Sequence, residues 1–204
     1  MTGSIPVFDA ADVRARLPMA RCIDLMRDVQ IDLSGGDISL PLRQSMPLPY
    51  PPEATNGLLI MPGALRNPPT FGAKLLSLYP GNGRLAEPLP TIQGYLLLFD
   101  GTDGKPLALI EASSLTAIRT AAASGAATRA LANPGARTLA LLGYGVQAAS
   151  HLEAMRTVRP IREVRVWGPS AERAAAFASR HRLPDVSVEP VATARDAVTD
   201  ADLI

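Results

Sequence analysis

The hydrophobic positions of this chain follow two rhythms. From about residue 137 onward, short apolar runs alternate with alanine-rich amphipathic stretches: 138-TLALLG-143, a helix from about Val146 to Val158, 163-EVRVW-167, a helix from Ser170 to about His181, then 186-VSVEPV-191. Strand-length runs separated by helix-length ones predict a parallel sheet with crossover helices. Two helix starts are marked by their chemistry. Ser170 follows Pro169 and precedes AERAAAF as an N-cap, and Thr193 with Asp196 three residues later makes a capping-box pattern. Residues 202-DLI-204 read as the beginning of a fourth strand.

Before residue 134 the pattern differs. A helix from about Pro18 to Leu33 ends at Gly35-Gly36, and short β-like runs follow at 38-ISLPLRQSM-46, 58-LLIMP-62, 72-GAKLLSLY-79, 94-GYLLLF-99 and 106-PLALIEA-112. These predict a mixed or antiparallel sheet. Its clearest hairpin joins 95-YLLLF-99 to 107-LALIE-111 through Asp100-Gly101 and Asp103-Gly104, residues suited to tight turns. A long helix of small residues, 115-LTAIRTAAASGAATRALA-132, is stopped by 133-NPGAR-137. The fold class is therefore α/β, with a mixed or antiparallel-sheet domain over residues 1–133 and an alternating β/α domain over 134–204.

Composition narrows the function classes. The chain of 204 residues is 47% hydrophobic and 19% charged, enough to bury a real core, and its net charge of +1 comes with no basic run. Nothing in it supplies the phosphate-neutralising surface that nucleic acid or an anionic membrane requires. The opening MTGSIPVFDAADVRARLP holds no long apolar segment, and no stretch approaches the roughly 18 apolar residues of a membrane span. One cysteine, Cys22, excludes an internal disulfide and suits a reducing cytoplasm. His151 and His181 stand apart from any cluster with ligand spacing, so no metal site is expected.

Gly143, Gly145 and Ala148 spell G-x-G-x-x-A where a strand gives way to a helix, the context that makes this pattern informative. The first glycine permits a tight turn, the second lets backbone approach a pyrophosphate, and Ala148 allows close helix–strand packing. The helix N-terminal amides, with Val146 and Gln147 in the first turn, then attract the phosphates. This predicts the first half of a Rossmann NAD(P)-binding domain. An NAD-preferring site carries Asp or Glu at the end of the second strand, where this chain has Gly168. With no carboxylate there to repel a 2′-phosphate, and with Ser170 and Arg173 nearby to bind one, the site leans toward NADP. Arg173 reads equally well as a solvated helix residue.

Three cations lie among apolar or small residues, where charge is costly unless paired: Arg43 in LPLRQSMP, Lys74 in FGAKLLSLY and Arg119 in AIRTAAAS. A carboxylate substrate would pair them. Arginine grips a carboxylate with two prongs, whereas lysine is a compact cation whose proton affinity shifts readily. Local acids or snorkelling to water would serve as well, and composition leaves the choice open.

The segments LPLRQSM, LLIMPG, GAKLLSLYPGN, LPTIQGYLLLFDGTDGKPLALIEASSLTAIRTAAASGAA and LLGYGVQAASHLEAM together resemble the ornithine cyclodeaminase/mu-crystallin family, from about residue 38 to the end. The resemblance implies an N-terminal substrate and dimerisation domain beside a Rossmann domain, an active site between them, and a homodimer. It implies that Arg43 and Arg119 hold the substrate carboxylate and that Lys74 is the catalytic acid/base beside the reacting nitrogen. By the same resemblance Met61 lines the pocket, and Thr91 and Thr120 belong with Gly143, Gly145, Val146, Gln147, Ser170 and Arg173 to the cofactor site. Family members move hydride between a nicotinamide cofactor and the α-carbon of a small carboxylate-bearing amino or imino acid. A ketimine or pyrroline-2-carboxylate reductase is the expected activity, with ornithine cyclodeaminase and a non-catalytic, mu-crystallin-like NADP-binding role as alternatives. Ornithine-using members resemble Glu-Leu-Met-Pro where this chain has Leu59-Ile60-Met61-Pro62, which weakens ornithine as substrate. The family pattern also continues past Ile204 through a second mononucleotide-binding half with a catalytic aspartate, so the chain reads as truncated within the Rossmann domain.

Overall fold

The computed structural model describes residues 4–49, 55–87 and 89–204. It divides into two compact units, Met1–Leu17 with Asp28–Thr116, and Pro18–Arg27 with Ala117–Ile204. None of the described helices is long and apolar enough to cross a membrane.

The first unit is built on a seven-stranded sheet. Strand β1 (Val7–Phe8) leads into helix α1 (Ala10–Arg16), and helix α2 (Met19–Gly35) precedes β2 (Ile38–Ser39), β3 (Gln44–Pro47), β4 (Gly57–Leu65), β5 (Thr70–Leu78), a 3₁₀ turn at Asn82–Arg84, β6 (Ile92–Asp100) and β7 (Pro106–Glu111). The order is β1-β7-β6-β5-β4-β2, with β3 also paired to β4. All pairings are antiparallel except β1 with β7, so the expected mixed sheet is found. The β6–β7 hairpin closes as its residues require. Asp100 accepts the Thr102 N–H at 2.7 Å, Asp103 accepts the Lys105 N–H at 2.9 Å, and Gly104 takes a φ of 75°, in the left-handed region.

Two local readings change. The run 38–46 is two strands rather than one, because Pro41 has no N–H to give a ladder and residues 40–43 leave the sheet. Helix α1, not anticipated from the pattern, is fixed by a capping box in which Asp9 accepts the N–H groups of Ala11 and Asp12 while Asp12 accepts that of Asp9.

The second unit holds a parallel sheet, β8 (Thr138–Leu142), β9 (Glu163–Trp167) and β10 (Ser187–Pro190), in the order β10-β9-β8. Helices α4 (Val146–Val158), α5 (Ala171–Arg180) and α6 (Ala194–Val198) connect and follow the strands, and α3 (Ala112–Leu131) carries the chain into this unit. Ser170 and Thr193 cap α5 and α6 as expected. Residues 202–204 form a single bridge rather than a strand: Leu203 pairs parallel with Leu139, on the side of β8 away from β9. That is the place of the fourth strand in a dinucleotide-binding sheet, whose order reverses at this point.

Ile23, Val164 and Val166 are fully buried in this core, with Leu139, Leu152, Met155 and Phe177 around them. The compact units divide within α2 and α3. Met19, Cys22 and Ile23 of α2 and Ala121 and Ala122 of α3 are buried in the same cluster as β8 and β9, which draws those helical segments into the second unit.

Candidate active and dinucleotide sites

In the first unit, register places two of the candidate substrate residues, Met61 and Lys74, side by side. Met61 of β4 lies opposite Lys74 of β5, which lies opposite Leu96 of β6. Gln44 pairs with Ile60, and Arg43 immediately precedes that strand, outside the ladder. Residues paired in this way share a face of the sheet. Lys74 is half-buried and its Nζ donates to the Thr116 hydroxyl at 3.3 Å. Arg43 is exposed and has no ion-pair partner among the described residues. Lys74 thus offers an ammonium held in place by a hydroxyl. Thr91 is exposed just before β6, its carbonyl accepting the Tyr79 N–H at 2.8 Å.

Thr116 and its support were not singled out from the sequence. Thr116 lies in the first turns of α3, whose opening N–H groups are taken by a side chain from the end of β7: Glu111 accepts from Ser113 at 2.6 Å and from Ser114 at 2.9 Å. Arg14 donates to the Ser114 hydroxyl at 3.0 Å, and the Ser113 hydroxyl donates to the Ile92 carbonyl at 2.8 Å. Partial burial opposes the Glu111 charge, but the Ser113 and Ser114 donors together outweigh it and hold the carboxyl below its ordinary range. An acid followed by Ser-Ser at a helix start was the available signal.

In the second unit, Arg119 and Thr120 are half-buried on α3, and Arg119 has no ion-pair partner among the described residues. The glycine turn after β8 has the form its sequence predicts. Gly143 adopts a φ of 143°, and its N–H donates to the Trp167 carbonyl at 2.8 Å, tying the turn to β9. Gly145 is the N-cap of α4. A Cβ at either glycine would meet nothing within 4 Å, so the space before the helix is open. The first helical bond is from Ala149 to Gly145, which leaves the N–H groups of Val146, Gln147 and Ala148 without helical partners. Val146 is 71% exposed and Gln147 is exposed, while Ala148 packs against the core. Open space faced by free amides at the positive end of a helix fits a pyrophosphate.

At the end of β9 the structure adds a residue the sequence reading passed over. Tyr144, between the two glycines, accepts the Ser170 N–H on its hydroxyl at 3.2 Å, and the Arg173 guanidinium lies 4.7 Å from its ring centroid. Ser170 in turn accepts the Arg173 N–H at 3.2 Å. Ser170 and Arg173 are thus brought together beside Gly168, as expected, and Tyr144 joins them.

The ornithine cyclodeaminase/mu-crystallin family model matches residues 8–204. The chain belongs to that family. Among its relatives, the Δ1-pyrroline-2-carboxylate/Δ1-piperideine-2-carboxylate reductase of Azospirillum brasilense is 36% identical over 197 residues, 97% of this chain and 60% of that protein. The ketimine reductase mu-crystallin of Mus musculus is 36% identical over 170 residues, 83% of this chain and 51% of that one. The solved Δ1-pyrroline-2-carboxylate reductase of Thermococcus litoralis, in complex with NADH and L-proline, superposes with a TM-score of 0.89 at 30% identity, covering 98% of this chain and 61% of that one. The chain thus spans between 51% and 61% of the length of these family members.

Proposed function

We propose that the protein reduces a small cyclic α-imino acid of the pyrroline-2-carboxylate class to the corresponding α-amino acid, with NAD(P)H as hydride donor. The observation that carries this reading is Lys74 set opposite Met61 on one sheet face and held by Thr116, beside a segment Leu59-Ile60-Met61-Pro62 that offers no carboxylate to a substrate's terminal amine. The reductase names and the NADH and L-proline complex of its relatives support it.

In this reading Arg43 and Arg119 hold the substrate carboxylate by charge-assisted hydrogen bonds and Met61 flanks the ring. Lys74, steadied by Thr116, supplies the proton to nitrogen as the C=N π pair moves onto it. When bound, the dinucleotide supplies the hydride that the α-carbon receives, so a two-electron reduction is balanced by one proton. Gly143, Gly145, Val146 and Gln147 would hold its pyrophosphate, and Thr91 and Thr120 are assigned to the same cofactor by the family pattern. Ser170 and Arg173, with Gly168 in place of an acid, make NADP the favoured form.

The test is loss of reduced-nicotinamide absorbance with pyrroline-2-carboxylate or piperideine-2-carboxylate. Lys74→Met is expected to abolish turnover, and Arg43→Met to raise KM more than it lowers kcat. Ammonia release from ornithine without net cofactor consumption would replace this reading by cyclodeamination. Tight cofactor binding with neither turnover would leave a binding role.

We further propose a homodimer. On the sheet face opposite Lys74, Val7, Phe71, Leu75, Tyr95 and Leu107 are each between 37% and 60% exposed, and Phe71 stacks on Phe99 at 4.9 Å. A contiguous apolar face of this kind suits a second copy. Leu75→Lys should shift the mass measured by light scattering from dimer to monomer, and a monomeric wild type would overturn the assignment.

A further inference from the structure

We infer that Tyr144, paired with Gly168, is the specificity-determining residue for the adenosine end of the cofactor, selecting a 2′-phosphorylated dinucleotide. The inference rests on the NADP reading above and assigns its cause to a residue outside the expected set. Arg173 is exposed, and an exposed guanidinium on a helix ordinarily sweeps many rotamers, which a phosphate would have to freeze on binding. Here the ring face of Tyr144 lies 4.7 Å from the guanidinium and holds it at the end of β9. The ring is itself anchored, since its hydroxyl accepts the Ser170 N–H, and the Ser170 hydroxyl caps the helix at Arg173. A cation and a hydroxyl therefore stand ready together, with no carboxylate at the strand end to repel a phosphate.

Tyr144 also accounts for the missing acid. A Cβ added at Gly168 would lie 2.2 Å from Cε1 and 2.7 Å from Cδ1 of the Tyr144 ring. No side chain can stand at 168 while the ring holds its place. The Asp or Glu that recognises an unphosphorylated ribose from this position is thus excluded by the same ring that positions Arg173. Tyr144 acts as a positioning residue, and the two choices of cofactor become alternatives at one pair of positions.

The experiment is calorimetric measurement of Kd for NADPH and for NADH on the protein and its variants. The wild type is expected to bind NADPH more tightly. Tyr144→Phe keeps the π face but loses the hydroxyl anchor, and should keep more of the ratio than Tyr144→Leu. Tyr144→Leu keeps bulk but loses the π face, and should lower the NADPH preference roughly two- to five-fold, with the change falling on NADPH. As a second arm, Gly168→Asp combined with Tyr144→Ala should turn the preference toward NADH, while Gly168→Asp alone, which must displace the ring, should weaken both. A wild type with no preference would overturn the NADP reading and this inference with it. A wild type that prefers NADPH, with Tyr144→Leu or the double variant leaving that preference unchanged, would overturn the role of Tyr144 alone.

Discussion

Arg159 is the strongest single test of how the second unit is held together. It is only 8% exposed and forms no ion pair among the described residues; its guanidinium is satisfied by carbonyls. Nε donates to Asn133 at 2.9 Å and Nη1 to Val158 at 2.7 Å, while Nη2 reaches Thr128 at 2.6 Å, Ala132 at 2.7 Å and Arg129 at 3.1 Å. Four of these five acceptors belong to the end of α3 or the turn after it, so Arg159 is a cationic C-cap for that helix, reaching back from the end of α4. A cation in a partly buried position at a helix C-terminus contributes up to about 2 kcal/mol. Buried carbonyls left without donors cost about 1–3 kcal/mol more. Arg159→Met, which keeps most of the packing, should therefore destabilise by about 3 kcal/mol, equivalent to a fall in Tm of roughly 6–12 °C for a chain of this size. Arg159→Lys keeps the charge without the planar fork and should recover part of the loss. Urea unfolding followed by far-UV circular dichroism measures both. A loss below about 1 kcal/mol for Arg159→Met would refute the capping argument.

Other consequences are as concrete. Glu111 has its carboxyl held below an ordinary value of 4.5, so its stabilisation is present above that pH and fades as pH falls through the lowered folded value; the stability gap between wild type and Glu111→Gln, measured by urea midpoints, should shrink on acidification and persist near neutrality. A Cβ at Gly125 would meet Ile23 at 2.9 Å and Ala154 at 3.5 Å, so Gly125→Leu should cost about 1–3 kcal/mol by overpacking, read from the same unfolding curves. Cys22 is 4% exposed and burial pushes its thiol up, so a thiol reagent should label it rapidly only after denaturant is added; fast labelling of the native protein would contradict its place in the core.

Local patterns carried much of this protein. The β8–α4–β9–α5 succession, the caps at Ser170 and Thr193, the glycine turn before α4 and the β6–β7 hairpin each depend on residues within a few positions of one another, so periodicity and turn chemistry suffice to read them. Helix α1 was also written locally, in Asp9 and Asp12, but its stretch is too short and polar for an apolar rhythm to reveal. Pro41 divided an expected strand for a reason equally local.

What the tertiary structure alone decided is which distant residues meet. The pairing of Met61 with Lys74 is a matter of strand register, and a slip of one residue would send the lysine to the opposite, apolar face. The Thr116 hydroxyl reaches that lysine from 42 positions away, and Arg159 caps carbonyls 27 to 31 positions before it. The Tyr144 ring fills the space that a Cβ at Gly168 would need, across two adjacent strand ends. The candidate cations were visible in the sequence because charge among apolar residues is conspicuous. Where those charges were placed, and what held them there, depended on contacts between segments that no local preference specifies.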